Sequence, residues 1–339
     1  IINKPKIKTI LEIIFFDMEK FYKRKIVINK EQNLQRLDQA LAKLSDLTRS
    51  QIKILINKGN IIKDGEVFKD ASYKVKENED FILQLEILDD TKFQAENIPL
   101  DIVYEDSELM VINKVSGMVT HPAPGNNYGT LVNALLNYNK ENLSDINEKN
   151  RPGIIHRLDK ETSGLLVIAK NNKSHLNLAE QFKKHTISRK YKAIVWGVPK
   201  DQTIEGYIER HKINRKKMSL NQNRKGKFSK TKIKLIQSFK IASLIECKLE
   251  TGRTHQIRVH MTSINSSIVG DKIYGKNKIN QFAKDPKTYN KFLILQNFER
   301  QALHAYHLGF THPKTGKYIE FNEDLPNDIN NLLKLIAKY

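Results

Sequence analysis

Apolar residues near the start of the chain follow helical spacing and then strand spacing. The run RLDQALAKL at 36–44 has its apolar residues at helical intervals and predicts a short helix. A second helix is predicted between Thr48 or Ser50, either of which can cap its start, and Gly59, which can end it. The run IIKDGEVF at 61–68 contains an Asp-Gly pair, which is a hairpin signal, and another alternating run follows it. Together these patterns predict a compact α/β module.

The pattern changes at Pro99, where strand-like runs separated by turn residues become the main feature. These runs are IVYE (102–105), LMVINK (109–114), GLLVIAK (164–170), YKAIVWG (191–197), IKLIQSF (233–239), SLIECKLE (243–250) and YIEF (318–321). Helical spacing occurs at 130–136, 174–184 and 255–263, and again after Pro326. Strands outnumber helices and no repeated strand–helix–strand unit is visible. The sequence therefore predicts an α+β fold, with a mixed, mostly antiparallel sheet and helices packed on it, preceded by the small α/β module.

These patterns divide the chain into four parts. We expect an N-terminal extension at 1–30 with little ordered structure over 1–17, the small module at 31–88, a polar linker at 89–98 and the larger domain at 99–339. With 339 residues, of which 39% are hydrophobic, the chain has enough apolar material for two cores.

Charge indicates the kind of partner. The formal net charge is +20, which predicts a polyanion such as nucleic acid. From Arg210 to Lys234, in a stretch whose Gly, Asn and Ser residues predict a loop, there are eleven Lys or Arg residues and no Asp or Glu. This run is either a solvated surface or a surface for an RNA or DNA backbone, and we favour the backbone because uncompensated like charges repel one another. For Arg49 and Lys53 in the second helix of the module, the charge pattern alone does not favour RNA binding over a solvated surface.

Several classes of protein are disfavoured by the sequence. No apolar run approaches the ~18 residues needed to span a bilayer, so no membrane association is expected. A single cysteine, Cys247, excludes an internal disulfide framework and a Cys-based zinc site, and we expect a reducing, cytoplasmic compartment. No GxGxxG or phosphate-loop motif is present, so no nucleotide cofactor is expected. His304 and His307 have no acidic neighbours in sequence, so we expect them to be structural and expect no metal.

One carboxylate stands among basic residues in IIHRLDKETSGLLVIAK. By its spacing alone, Asp159 in this run is as consistent with a turn or helix-cap residue as with a catalytic one. Two other runs favour chemistry, namely LETGRTHQIRVHM, which contains Arg253 and Arg258, and SRKYKAIVWG, which contains Tyr191. A buried arginine can pair with the carboxylate and orient it, and a tyrosine can stack on a base. These residue types would make a pocket for an extruded nucleobase without a metal or a cofactor.

Seven motifs, in the same order, resemble those of the RluA family of pseudouridine synthases. They are VINKVSGMVTHPAPGN (111–126), GTLVNALL (129–136), GIIHRLDKETSGLLVIAK (153–170), ISRKYKAIVWG (187–197), LETGRTHQIRVHM (249–261), VGDKIYG (269–275) and RQALHAYHLGFTHPKTG (300–316). The chain looks closest to the D-type enzymes, which modify large-subunit ribosomal RNA, and its N-terminal module resembles the RNA-binding fold shared with ribosomal protein S4. One departure is Val115, where the family commonly has a proline that would stiffen the loop.

The resemblance implies that uridine is isomerised to pseudouridine within RNA, without a cofactor or a metal. It implies that Asp159 is the catalytic aspartate and that Arg258 pairs with it. It also implies that Tyr191 lies against the base and helps to remove the proton from carbon 5. Whether the aspartate adds to carbon 6 of uracil, attacks the anomeric carbon or removes the 2′ proton stays open. Arg157 matches a residue that enters the space left by the flipped nucleotide. The candidate RNA-binding residues are Arg157, His156, Arg49, Lys53, Arg215, Lys216, Lys217 and Arg253.

The expected partner is large-subunit ribosomal RNA, free or in assembling ribosomal subunits, and the protein is expected to be a monomer. Two alternatives remain, namely a pseudouridine synthase for transfer RNA and a non-catalytic RNA-binding assembly factor that kept the fold. The N-terminal module favours ribosomal RNA over transfer RNA. The presence of Asp159, Tyr191 and Arg258 favours an enzyme, because a pure RNA binder does not need a carboxylate that faces RNA.

Overall fold

The structure, a computed structural model, divides the chain into two compact units between residues 92 and 93. The residues described are 21–45, 47–86, 94–122, 126, 128–139, 143–144, 152–275 and 285–338. The extension expected to lack order at 1–17, and residues 89–93 of the expected linker, lie outside the described residues.

In its described residues, the first unit is a four-stranded antiparallel sheet with two α-helices and a 3-10 helix (Lys30–Gln32). Its elements are β1 (Phe21–Val27), α1 (Leu37–Leu44), α2 (Arg49–Lys58), β2 (Ile61–Lys63), β3 (Glu66–Val67) and β4 (Asp80–Glu86), and the strand order is β1-β4-β2-β3. Helix α2 begins with a capping box between Thr48 and Gln51 and ends at Gly59, whose φ of 79° suits a glycine. Asp64 and Gly65 both have positive φ, as a two-residue hairpin between β2 and β3 requires.

Strand β1 differs from the expectation, because it falls within 1–30, where an extension was expected. It pairs with β4 along its whole length, and Lys25 forms an ion pair with Asp80 at 3.1 Å. Its inward position Ile26 is buried in the core of this unit, while Lys23 and Lys25 point outward. Consecutive basic residues hide this alternation in the sequence, and the strand is recognisable only once β4 is beside it.

The second unit is built on a large mixed sheet. Its elements are β5 (Ile102–Glu105), β6 (Leu109–Lys114), α3 (Leu131–Asn139), β7 (Ser163–Ala169), α4 (Asn172–Lys183), β8 (Ser188–Trp196), β9 (Gln202–Arg210), β10 (Met218–Asn221), β11 (Lys227–Ser238), β12 (Ala242–Leu249), α5 (Gln256–Ser263), α6 (Pro286–Gln296), β13 (Leu303–Thr311), β14 (Tyr318–Asn322) and α7 (Asn327–Ala337). The strand order is β10-β9-β11-β12-β8-β13-β7-β6-β5, and β14 also pairs with β13. Among the described strands the β13–β7 pair is parallel and the others are antiparallel, which confirms the predicted fold class.

Strands β6 and β7 are buried on both faces, which explains their continuous apolar runs. One set of alternate residues, including Met110 and Leu166, packs into a core that contains residues of α3, α5, α6 and α7. The other set, including Val111 and Leu165, packs against Leu178 of α4. The central strands are thereby held rigidly, and they can position the side chains and loops at their ends.

The loop predicted over 210–234 is wrong in part, because β10 and the first eight residues of β11 lie within it. In β11 the inward positions 229 and 231 are Ser and Thr, which are buried and hydrogen-bonded, and Lys residues take the outward positions 230, 232 and 234. The alternation is therefore carried by small polar residues and does not show in an apolar pattern. Strands β9 and β13 and helix α6 were likewise not predicted.

Within the described part of the chain, no helix is both long enough and apolar enough to cross a membrane.

Candidate active site

Asp159 lies in the loop that leads into β7, in the second unit. The backbone N–H of Thr162 donates to its carbonyl oxygen at 3.0 Å, which closes a turn just before the strand. Arg258 lies on α5, and Tyr191 lies on the inward face of β8. The fold therefore brings together three residues from distant parts of the sequence.

Arg258 joins two carboxylates. Its Nη1 donates to Oδ2 of Asp159 at 2.8 Å, and its Nε and Nη2 donate to Oδ2 and Oδ1 of Asp271 at 2.7 and 3.0 Å. Asp271 also accepts the backbone N–H groups of Ile273 and Tyr274. Among the described residues, none donates a hydrogen bond to Oδ1 of Asp159. Arg258 thus fixes the Asp159 carboxylate through one oxygen and leaves the other available for a substrate.

The contacts between Arg258 and the two carboxylates keep Arg258 and Asp271 charged. Burial opposes the charge of Arg258, but its contacts with Asp271 and Asp159 outweigh burial and raise its pKa. Burial likewise acts against the charge of Asp271, yet hydrogen bonding to Arg258 lowers the pKa of Asp271 overall. Arg258 and Asp271 are therefore ionised at neutral pH, and together they hold the Asp159 carboxylate in position.

Asp159 and Arg258 line a cavity of about 530 Å³, within the ~300–1,000 Å³ range that is usual for ligand pockets. Tyr191 is a buried residue in its wall, and burial raises the pKa of its hydroxyl, which therefore stays protonated at neutral pH. This state supports the expected contact with a base more directly than it supports proton removal. His156, Arg157 and Arg253 line the same cavity.

His156 is placed differently from a phosphate-binding residue. Its Nε2 accepts the backbone N–H of Val167 at 3.1 Å, and its ring packs on Phe182 at 4.6 Å between centroids. Burial, with a smaller contribution from Arg189, lowers the pKa of His156 to about 3, so its ring is neutral. These contacts hold the Asp159 loop against β7, and the contact of His156 with RNA stays a prediction.

The other candidate RNA-binding residues of this unit are closer to the surface. Arg157 is exposed, with Nη1 3.3 Å from Nε2 of His121, and Arg253 donates through Nε to the carbonyl of Phe228 at 2.8 Å. Arg215, Lys216 and Lys217 lie in the loop between β9 and β10, and Nζ of Lys217 is 5.9 Å from the centroid of the Tyr274 ring.

In the first unit, Arg49 and Lys53 surround the buried carboxylate of Asp38. Nη2 of Arg49 lies 3.0 Å from Oδ2 of Asp38, and Nζ of Lys53 lies 3.6 Å from the same oxygen. Both cations remain about half exposed. The buried carboxylate therefore gathers the cations on one surface, and their role in RNA binding stays a prediction.

Sequence reasoning missed the residues that support Asp159. Lys114, at the end of β6, donates through Nζ to the carbonyls of Val115, Met118 and Lys160 at 2.8, 2.9 and 3.3 Å. Burial lowers the pKa of Lys114 to about 7 despite the attraction of nearby carboxylates, of which Asp159 is the first. These bonds tie the loop after β6 to the loop of Asp159, so this loop is held even though Val115 replaces the family's proline.

His255 and Tyr274 form a second support that was not predicted. The hydroxyl of Tyr274 accepts the backbone N–H of Met218 at 2.6 Å and lies 2.9 Å from Nδ1 of His255. If the hydroxyl donates to Nδ1, the ring proton lies on Nε2, which is 3.9 Å from Oδ2 of Asp159. Burial lowers the pKa of His255. The motif VGDKIYG contains both Asp271 and Tyr274, but nothing in its spacing indicates that they lie beside Arg258.

Comparison with known proteins identifies the class of this fold and site. The model of the RNA pseudouridylate synthase family matches residues 108–263, and the S4 domain model matches residues 35–81. Ribosomal large subunit pseudouridine synthase D of Zymomonas mobilis is 44% identical over 317 residues, which cover 92% of this chain and 96% of that protein. An uncharacterised RNA pseudouridine synthase of Bacillus subtilis, YlyB, is 40% identical over 92% of this chain and 98% of its own length. The chain belongs to the RNA pseudouridine synthase family and carries an S4 domain.

A solved structure agrees with this assignment at the level of the fold. Human RNA pseudouridylate synthase domain containing 4 superposes with a TM-score of 0.54 at 24% identity, over 70% of this chain and 93% of the human chain.

Proposed function

We propose that this enzyme isomerises uridine to pseudouridine in large-subunit ribosomal RNA, with Asp159 as the catalytic carboxylate and without a cofactor. The observation that carries the proposal is the 2.8 Å contact between Arg258 and Asp159 at the wall of a cavity large enough for a nucleotide. A carboxylate fixed through one oxygen, with the other unoccupied by the described residues, is suited to act on a substrate held at a defined position.

The reaction needs an extruded base. Flipping a nucleotide costs a few kcal/mol, which contacts between the basic surface and phosphates offset. In the cavity, Tyr191 lies against uracil, and Asp159 acts on the nucleotide as the bond between C1′ and N1 breaks. The uracil turns, C5 bonds to C1′ and loses its proton, and N1 gains a proton, so the composition of the RNA is unchanged. The atoms balance without an external group, which is why a cofactor is not required.

The choice of ribosomal RNA rests on relatives and on domain content. The Zymomonas mobilis relative is named for the large ribosomal subunit, and the S4 domain and the net charge of +20 suit a structured RNA partner. We extend the proposal to a cytoplasmic monomer that acts on this RNA, either free or in assembling ribosomal subunits. Transfer RNA is the alternative substrate.

The direct test replaces Asp159 with Asn, which keeps an oxygen for Arg258 and removes the charge. We expect no pseudouridine formation in large-subunit ribosomal RNA by tritium release from 5-tritiated uridine, with RNA binding within a few-fold of the wild type. Lys160→Gln is a matched control, because this neighbouring side chain is exposed and lies outside the network around Arg258. Turnover by Asp159→Asn would refute the catalytic assignment, and wild-type activity confined to transfer RNA would refute the substrate.

A further inference from the structure

Arg189 is a buried cation in the cavity wall that the reaction described above does not use. It lies on β8 two residues before Tyr191, so both side chains lie on the same face of the strand, and both line the cavity. Its exposed fraction is 7%, and its Nε has no hydrogen-bond partner among the described residues. No carboxylate of the described part of the chain forms an ion pair with it.

The guanidinium of Arg189 lies close to an aromatic ring and to a glycine. Its Cζ is 5.3 Å from the centroid of the Phe182 ring. On another side Gly252 approaches so closely that a Cβ built there would lie 2.5 Å from Nη1 of Arg189. The glycine in the GRTH segment thus leaves room for the guanidinium, and a larger residue would push it aside. The Phe182 ring and the backbone at Gly252 therefore limit where the guanidinium can lie.

The charge around Arg189 is uncompensated. Burial lowers its pKa, and the nearby charge of Arg253 acts in the same direction. The strongly basic side chains that line the cavity are Arg157, Lys183, Arg189, Arg253 and Arg258, whereas Asp159 is its one lining carboxylate among the described residues. That carboxylate already accepts a hydrogen bond from Arg258. A buried cation that lies near a second cation, with no counterion among the described residues, has the electrostatics of an anion-binding site.

We propose that Arg189 binds a phosphate of the RNA backbone next to the uridine that enters the cavity, and that Arg253 supports it from the rim. The proposal rests on the proposed function, because the nucleotide must be extruded for its phosphate to reach this wall. A phosphate fits better than a uracil carbonyl, since a neutral carbonyl would leave two adjacent guanidinium groups uncompensated. A purely structural role against Phe182 explains the stacking but leaves the charge of Arg189 without a counterion among the described residues.

The test asks whether Arg189 and one particular phosphate contribute to RNA binding through the same contact. RNA binding is measured in the Asp159→Asn background, so that no substrate is converted, with RNAs that carry an uncharged methylphosphonate on either side of the target uridine. Arg189→Met is expected to weaken binding of unmodified RNA by about ten-fold or more, the usual scale for a charge-assisted hydrogen bond. One of the two methylphosphonates is expected to weaken binding similarly when Arg189 is present, and to cause no further loss in the Arg189→Met variant.

Two variants separate this role from a structural one. Lys190→Met removes the same charge from the next position on the opposite face of β8, and we expect unchanged binding and unchanged sensitivity to the methylphosphonate. Gly252→Ala keeps the charge of Arg189 but displaces its guanidinium, and we expect weaker binding and loss of that sensitivity. Thermal unfolding shows whether each variant is folded.

The outcomes distinguish this inference from the proposed function. Equal methylphosphonate sensitivity with and without the Arg189→Met substitution would overturn the phosphate contact, whatever the turnover of the wild type. A wild type that forms no pseudouridine in either RNA, with the coupling intact, would overturn the proposed function and leave Arg189 as a phosphate-binding residue.

Discussion

Replacing Arg258 with methionine removes the cation between two carboxylates and keeps an unbranched side chain about as long as the stem of the arginine. Asp159 is partly exposed and can be hydrated, but the side chain of Asp271 is fully buried. In the variant, Asp271 keeps only the backbone donors of Ile273 and Tyr274. The substitution therefore leaves an uncompensated charge in the interior.

The expected cost follows from that burial. Removing one partner of a buried ion pair typically costs about 3–5 kcal/mol. For a unit of this size, one kcal/mol corresponds to about 2–4 °C in Tm, so we expect Arg258→Met to unfold about 6–20 °C below the wild type. We also expect pseudouridine formation to be abolished, because Asp159 is no longer held.

A second substitution separates stability from activity. Adding Asp271→Asn to Arg258→Met removes the stranded charge and leaves an oxygen for the backbone donors. We expect this double variant to regain most of the decrease in Tm and none of the activity. Thermal unfolding followed by circular dichroism, together with tritium release, measures the two effects on the same samples.

The dependence on pH gives an independent check. In the wild type the lowered pKa of Asp271 contributes stability above the unfolded pKa, and this contribution is lost as pH falls through the folded pKa. In Arg258→Met, burial without a cation raises that pKa, so the penalty is greatest at neutral pH and shrinks as acid neutralises the group. The Tm difference between the two proteins should therefore narrow from pH 8 to pH 5. A constant difference, or a fully active Arg258→Met, would refute the ion-pair argument.

Two further predictions concern other parts of the molecule. Neutralising Arg215, Lys216 and Lys217 should weaken RNA binding and flatten its salt dependence by roughly 0.7–0.9 in log–log slope for each phosphate that is no longer bound, and an unchanged slope would leave this loop a solvated surface. Cys247 is fully buried and burial raises the pKa of its thiol, so it should resist thiol reagents in the native protein and react on denaturant unfolding; rapid labelling of the native protein would contradict its burial.

The helices and strands that the sequence predicted well are those whose pattern depends only on neighbouring residues. Helix α2 has a capping residue and a terminal glycine at its own ends, and β6 and β7 are continuous apolar runs because both their faces are buried. Strand β11 was recognised only from position 233, because its earlier inward positions are Ser and Thr that are satisfied by hydrogen bonds to other elements. Such partners are set by tertiary structure and leave no periodic signal.

The candidate site divides in the same way. Asp159, Tyr191 and Arg258 were named from motifs, and the structure brings all three to one cavity, with the Arg258–Asp159 pair that the resemblance implied. The alternation of β8 could also have placed Arg189 beside Tyr191, since residues two apart share a strand face. Asp271 could not be found in this way, because its role depends on a contact across the fold.

The sequence by itself determined the class of fold, the presence of two units and the residue types available for chemistry, because periodicity, capping and charge are properties of neighbouring residues. Only the tertiary structure decided that Arg258 serves two carboxylates, that Lys114 ties two loops together and that the guanidinium of Arg189 has no anion among the described residues. Each of these depends on distances between residues that are far apart along the chain. In the buried interior, those distances decide whether a charged group has a partner.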